Sequence, residues 1–274
     1  MKSVLKFLTL LWLAAFGLPA WADSGLDQLR APGTLSVAVY KEFAPFNDDG
    51  KGIDVDIARL IAERLGLRLA LLPFDADEKM EDDLRNMVWK GHYLGYGPAD
   101  IMMHVPVDRH FMDRNDKVLI FAPYYREQMM LVHSREKLPK VETMSVFEHA
   151  TIGVEDASIG SIALLGFEGG KLARNVRHFH NIGEAFRELK EDRISAVLAL
   201  NSQVEAMMQG TRGFDRLIPP LPALPPAGWV LGIAAKAGNE ALARRVQEAM
   251  NELDKEGRLD EVFARHGVRR LKPL

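Results

Sequence analysis

The chain has 274 residues, 47% of them hydrophobic, which is length enough for one large or two modest cores. Its formal charge is −3, with 35 basic and 38 acidic residues interspersed, and this balance excludes a general nucleic-acid-binding surface. Cysteine is absent, which excludes disulfides, thiolate metal sites, a cysteine nucleophile and a lipidated cysteine.

In chain order, Lys2 and Lys6 precede an apolar run over 7–18, and Ala20-Trp21-Ala22 follows as a small-x-small cleavage signal. A signal peptide over 1–22 is therefore expected, cut before Asp23, with export to the periplasm. The apolar run is about a dozen residues where a membrane span needs about 20, so no stable membrane insertion is expected; an uncleaved anchor is the alternative. Loss of Lys2 and Lys6 takes the charge from −3 to −5.

Residues 34–40 alternate, with Leu35, Val37 and Val39 on one face of a strand. After a loop over 41–52, Asp54 is placed to cap a helix whose apolar stripe is Val55, Ile57, Leu60, Ile61 and Leu65, closed by Gly66. A strand over 67–72, a helix over 81–89 and a strand over 100–103 continue the alternation, which predicts a mostly parallel sheet. The pattern returns as strands over 151–155, 176–180 and 196–200, with one helix starting at Ser158 and another over 184–190 after Asn181. The run 219–226, with five prolines, reads as a connector before a strand over 229–235. A long helix capped by Asn239, with Leu242, Val246, Met250 and Leu253 in its stripe, and a short one over 259–266 end the chain. Two α/β units joined by two crossing segments place a cleft between lobes.

Several phrases, in order, resemble the type-3 extracellular solute-binding proteins, in the branch that binds polar amino acids. They are Gly33-Thr34-Leu35-Ser36-Val37-Ala38-Val39 with Phe43-Ala44-Pro45-Phe46, then Gly52-Ile53-Asp54-Val55-Asp56-Ile57-Ala58, then Phe121-Ala122-Pro123-Tyr124-Tyr125. Gly153-Val154-Glu155-Asp156-Ala157-Ser158, Gly232-Ile233-Ala234-Ala235-Lys236 and Glu256-Gly257-Arg258-Leu259 complete the set. The resemblance implies an α/β, two-lobed periplasmic-binding-protein fold of type II, with a two-segment hinge. It implies lobe one over 23–126 and 231–274, and lobe two over 127–230. It also implies a protein that closes around a small polar or anionic solute for an ABC transporter, with no enzymatic activity and no cofactor.

By the same resemblance the ligand-binding residues are Phe43, His104, Arg109 and Ser158. Arg109 occupies the place of an arginine whose guanidinium holds a ligand carboxylate, or else pairs with Asp108 at the surface. Phe43 either stacks on the ligand or joins the core; Ser158 either offers its hydroxyl and helix N–H groups to an anion or simply caps. Met102, Met103 and His104 replace the family's hydroxyl residues. Leu200 falls where an acid for the ligand ammonium is expected, which argues against a standard α-amino acid. Residues 91–98 resemble an insertion. These departures are similar to the branch associated with periplasmic quinoprotein alcohol dehydrogenases and methanol oxidation, which implies an alternative role as an accessory protein with such a dehydrogenase as partner.

His178 and His180 share one face of a strand, a spacing open to zinc or copper, but no third ligand is evident and no metal is expected. Nucleophile-elbow, phosphate-loop and zinc-protease motifs are absent. Paired carboxylates such as Asp54 and Asp56 are available for acid–base chemistry, although helix starts favour acids without it.

Overall fold

The computed structural model describes residues 26–27 and 29–273; the expected signal peptide and its cleavage site lie outside the described residues. The chain begins with β1 (Thr34–Tyr40), α1 (Ile53–Arg64), β2 (Arg68–Phe74) and α2 (Met80–Leu84), which runs into a π turn over Arg85–Trp89. Strand β3 (Ile101–Pro106), α3 (Arg109–Arg114) and β4 (Val118–Glu127) follow. The next unit is β5 (Met129–Ser134), β6 (Ile152–Glu155), α4 (Ile159–Gly166), β7 (Val176–Phe179), α5 (Ile182–Lys190), β8 (Ala196–Leu200), α6 (Asn201–Met207) and β9 (Phe214–Leu217). The chain returns through β10 (Trp229–Lys236) and ends with α7 (Glu240–Lys255) and α8 (Arg258–Arg265).

Two five-stranded sheets result, in the orders β2-β1-β3-β10-β4 and β7-β6-β8-β5-β9. Each has a parallel set, β2-β1-β3 and β7-β6-β8, and one reversed strand, β10 or β5, which pairs antiparallel with both its neighbours. The expected parallel alternation therefore holds for the strand–helix–strand units. The reversed strands are the two that enter each sheet directly from the other lobe, so no crossover helix sets their direction.

The period-two residues Leu35, Val37 and Val39 face Ile53, Ile57 and Ile61 of α1 and Leu242, Val246 and Met250 of α7 in one core. Burying each such side chain stabilises by about 1.5–3 kcal/mol. The opposite face of the sheet packs Met102 on Leu84, Met87 and Val88. In the second lobe, Leu131, Ile152, Val154 and Leu198 form one core, and α5 buries Ile182, Ala185, Phe186 and Leu189 in another.

The helix starts divide into local and long-range cases. Ser158 and Asn181 cap as expected, accepting from Ser161 N at 3.1 Å and Glu184 N at 3.1 Å. Asp54 does not cap α1: Gly52 holds that position, and the Asp54 side chain turns into the core, 2% exposed. Gly52 has φ of 147°, and a Cβ there would stand 2.2 Å from the Phe46 carbonyl oxygen, so the close approach of two backbones requires glycine. The helix expected over 81–89 is split by the π turn, and α3, α6 and β9 come from stretches with no strong apolar period.

The two crossings between lobes touch. Trp229 pairs with Glu127, and at Gly228 a Cβ would lie 1.9 Å from the Glu127 carbonyl oxygen. The Glu127 side chain is fully buried there, accepting from Gln128 N at 3.0 Å, from Ser202 N at 3.3 Å and from the Ser202 hydroxyl. Burial pushes its carboxyl up to about 7, against the lowering effect of those donors.

Candidate functional site

A cleft of about 360 Å³ opens where the C-terminal ends of the parallel strands of both sheets meet. Tyr40, Phe43 and His104 line it from the first lobe, Glu155, Ser158 and Leu200 from the second, with Trp229 and Leu231 at the crossing. Three of the four expected site residues, Phe43, His104 and Ser158, thus meet on one cleft.

Phe43 sits on a loop closed by its own N–H, which donates to Asn47 O at 2.7 Å. Its half-buried ring stacks on Phe46 at 5.4 Å between centroids and meets the His104 ring edge-on at 4.8 Å. The ring is therefore held by its aromatic neighbours while the residue lines the cleft.

His104 lies in the buried stretch of β3 with φ of 65°, a left-handed backbone that costs a non-glycine residue about 1 kcal/mol or more. The surrounding contacts hold it there. Nδ1 lies 3.2 Å from Asp54 Oδ2, and the Tyr124 hydroxyl donates to Asp54 Oδ1 at 2.7 Å. With an ionised Asp54 as acceptor, Nδ1 carries the proton and the ring orientation is fixed. Burial, and then the Asp54 charge, raises the Tyr124 phenol well above its ordinary range, so it acts as a neutral donor. The inward turn of Asp54 at the start of α1 therefore positions a cleft-lining imidazole.

Ser158 is committed to structure: its hydroxyl accepts from Ser161 N and donates to Glu155 O at 2.7 Å. The residues that follow it, Ile159 and Gly160, also border the cleft.

Arg109 is not brought to the cleft. It is the first residue of α3, exposed, and absent from the lining. Val107 N still bonds to Val230 O at 2.8 Å, so the chain follows the sheet past the cleft floor before α3 starts. Nor does Asp108 hold it, since that carboxylate caps α3 by accepting from Phe111 N at 2.8 Å. The expected carboxylate anchor is thus a surface arginine.

Sequence reasoning singled out neither Glu155 nor Tyr40. Glu155 lies at the end of β6, half-buried on the cleft wall. Its carboxylate accepts from Gln203 Nε2 at 3.5 Å and from the Ile182 N–H, and burial raises it above the ordinary range. Tyr40 donates to Asp83 Oδ2 at 2.7 Å, and burial brings that carboxyl to about 6. The only sequence signal for Glu155 was its place in the turn phrase before Ser158. Leu200 does border the second-lobe wall, so the position expected for an ammonium partner is apolar.

The histidine pair divides between two tasks. His178 Nε2 is 2.9 Å from the Ser161 hydroxyl, and His180 is 3.9 Å from Glu42 across the cleft mouth. Among the described residues no group of three or more His, Asp or Glu side chains is placed to hold a metal, and no helix is long and apolar enough to cross a membrane.

A scan against protein-family profiles matches none. Among curated proteins, the chain is 24% identical over 271 residues to a probable histidine-binding protein of Neisseria gonorrhoeae, covering 92% of this chain and 91% of that protein. It is 22% identical over 264 residues to the L-cystine-binding protein TcyJ of Escherichia coli, covering 94% and 92%. Among solved structures, an ancestral cationic amino acid solute-binding protein superposes with a TM-score of 0.66 at 20% identity, covering 86% of this chain and 96% of that one. An amino acid ABC transporter substrate-binding protein from Streptococcus pneumoniae, bound to L-arginine, gives 0.64 at 20% identity, covering 90% and 100%. With both sheets, both crossings and the interlobe cleft accounted for, the chain has the two-lobed, type II periplasmic-binding-protein fold.

Proposed function

We propose that this chain is a periplasmic solute-binding protein, not an enzyme, that closes around a small solute of amino-acid size and passes it to an ABC transporter. The observation that carries the reading is the cleft of about 360 Å³ walled by both lobes. Lobe one would be 23–126 with 231–274, and lobe two 127–230, hinged at the touching crossings by Glu127 and Gly228. Closure is driven only by contacts that exist in the closed state, so a solute must touch both walls. Phe43 and His104 serve from lobe one; Glu155 and the first turn of α4 after Ser158 serve from lobe two. The names of the similar proteins, which are all amino-acid binders, support this class of solute. Neither the cleft nor these proteins adds support to a role beside a quinoprotein dehydrogenase.

The test is the thermal midpoint of mature protein, unfolded and refolded to strip bound solute, against amino acids, amines, organic acids and sugars. A solute at about 100 times its Kd stabilises by about 2.7 kcal/mol. For about 250 residues that is a rise of about 5–10 °C. Phe43→Ala should remove most of the rise. A flat response across the whole panel overturns the reading.

A further inference from the structure

The charge on the cleft wall points to a more specific solute, given the solute-binding reading above. The ionisable side chains that border the cleft are Lys41, Glu42, His104 and Glu155, with Tyr40 beside them. Lys41 Nζ pairs with Asp75 at 2.9 Å and His104 with Asp54 at 3.2 Å, while Glu42 is exposed to solvent, 3.9 Å from His180. Any positive charge on His104 is thus already matched by the Asp54 carboxylate behind it. Glu155 differs. It receives one long amide bond from Gln203 and one backbone N–H from Ile182, while His180 acts on it through charge alone. A half-buried carboxylate with so few donors favours a cation brought by the solute, and its raised pKa agrees with that unmet demand.

The rest of the wall suits the body of such a cation. Tyr40, Phe43 and Trp229 offer aromatic faces, which attract an ammonium group electrostatically, and Met129, Leu198 and Leu200 are apolar. No arginine borders the cleft among the described residues, and the expected one, Arg109, lies exposed outside it. A solute carboxylate therefore has no guanidinium to meet, whereas an ammonium has a carboxylate.

We propose that the cleft selects a small organic amine with an apolar or aromatic body, that Glu155 holds its ammonium group, and that a carboxylate on the solute contributes nothing to affinity. Amino acids would then bind as amines that happen to carry a carboxylate. Glu155 in lobe two and the aromatic rings of lobe one contact opposite ends of the solute, which is the arrangement that rewards closure.

The experiment uses stripped, full-length mature protein and calorimetric titration with two matched sets: phenylalanine, phenethylamine and 3-phenylpropionate; histidine, histamine and imidazole-4-propionate. In at least one set the amine should bind as tightly as the amino acid or more tightly, and the deaminated acid should not bind measurably. Glu155→Gln keeps an oxygen to accept from Ile182 and should weaken the amine about 100-fold, in line with removal of one member of a desolvated charge pair. An unchanged thermal midpoint without solute would separate that loss from misfolding. Glu155→Asp, which keeps the charge, should recover part of the affinity. Binding of an amino acid with no binding of its amine overturns the inference, as does an amine that ignores Glu155→Gln. Absence of binding by every amine overturns it too; the broader solute-binding reading then stands or falls separately on the wide panel.

Discussion

Glu127→Gln tests the hinge most directly, because one atom changes at a point where three chain segments meet. The carboxyl, ordinarily near 4.5, is pushed up to about 7 by complete burial at the crossing. Since its pKa is raised on folding, the folded state binds more protons than the unfolded state between those two values, and stability must fall as pH rises through that window. At about 1.36 kcal/mol per pH unit, the full displacement is worth about 3.4 kcal/mol, of which about 2.5 kcal/mol falls between pH 5 and pH 8. A glutamine can keep the same bonds: Oε1 accepts from Gln128 N and Ser202 N, and Nε2 donates to the Ser202 hydroxyl oxygen, which the carboxylate could only accept from. The variant should therefore match wild type within about 1 kcal/mol at pH 5 and exceed it by about 2 kcal/mol at pH 8. Urea unfolding at the two pH values, compared as a difference of differences, cancels Asp83 and Glu155, whose carboxyls are also raised. Equal pH slopes for the two proteins would refute the reasoning and mean that Glu127 reaches solvent or a cation.

The remaining predictions concern positions with separate causes. Asp54→Ala leaves the Tyr124 hydroxyl and His104 Nδ1 without their acceptor in the core and should cost about 2–4 kcal/mol in denaturant unfolding, together with solute affinity. Asp54→Asn should be milder on stability, since the amide oxygen still accepts one of the two bonds. Gly228→Ala forces a Cβ against the Glu127 carbonyl at a φ of 72° and should lower stability by at least about 2 kcal/mol; an unchanged unfolding midpoint would mean that the crossings part easily. Ser158→Ala removes one cap and should cost about 1 kcal/mol in the same assay. Arg109→Ala should leave solute affinity within about two-fold, as expected of a surface side chain; a loss of ten-fold or more in titration would return Arg109 to the cleft.

What could be read in the chain by itself was whatever neighbouring residues settle among themselves. The alternation at 34–40, the stripe of α7 and the caps Ser158 and Asn181 depend on contacts a few residues apart, and each forms where expected. The order of these elements was enough to indicate two α/β lobes, because a strand–helix–strand unit has little choice of topology. Of the four ligand-binding residues that the resemblance implies, Phe43, His104 and Ser158 line the cleft and Arg109 does not.

Tertiary structure decided the rest. Asp54 has the local look of a cap, yet the donors that need its carboxylate lie 50 residues away at His104 and 70 away at Tyr124, and satisfying two buried donors outweighs a cap at the helix start. Arg109 sits in a phrase that predicted a ligand contact, but the pairing of Val107 with Val230 carries the chain past the cleft. Glu155 looks like an ordinary turn acid until β6 places it opposite the aromatic wall of the other lobe. Local hydrogen bonding and periodicity are written in consecutive residues, whereas the charge left unmatched in a cleft depends on every segment that reaches it.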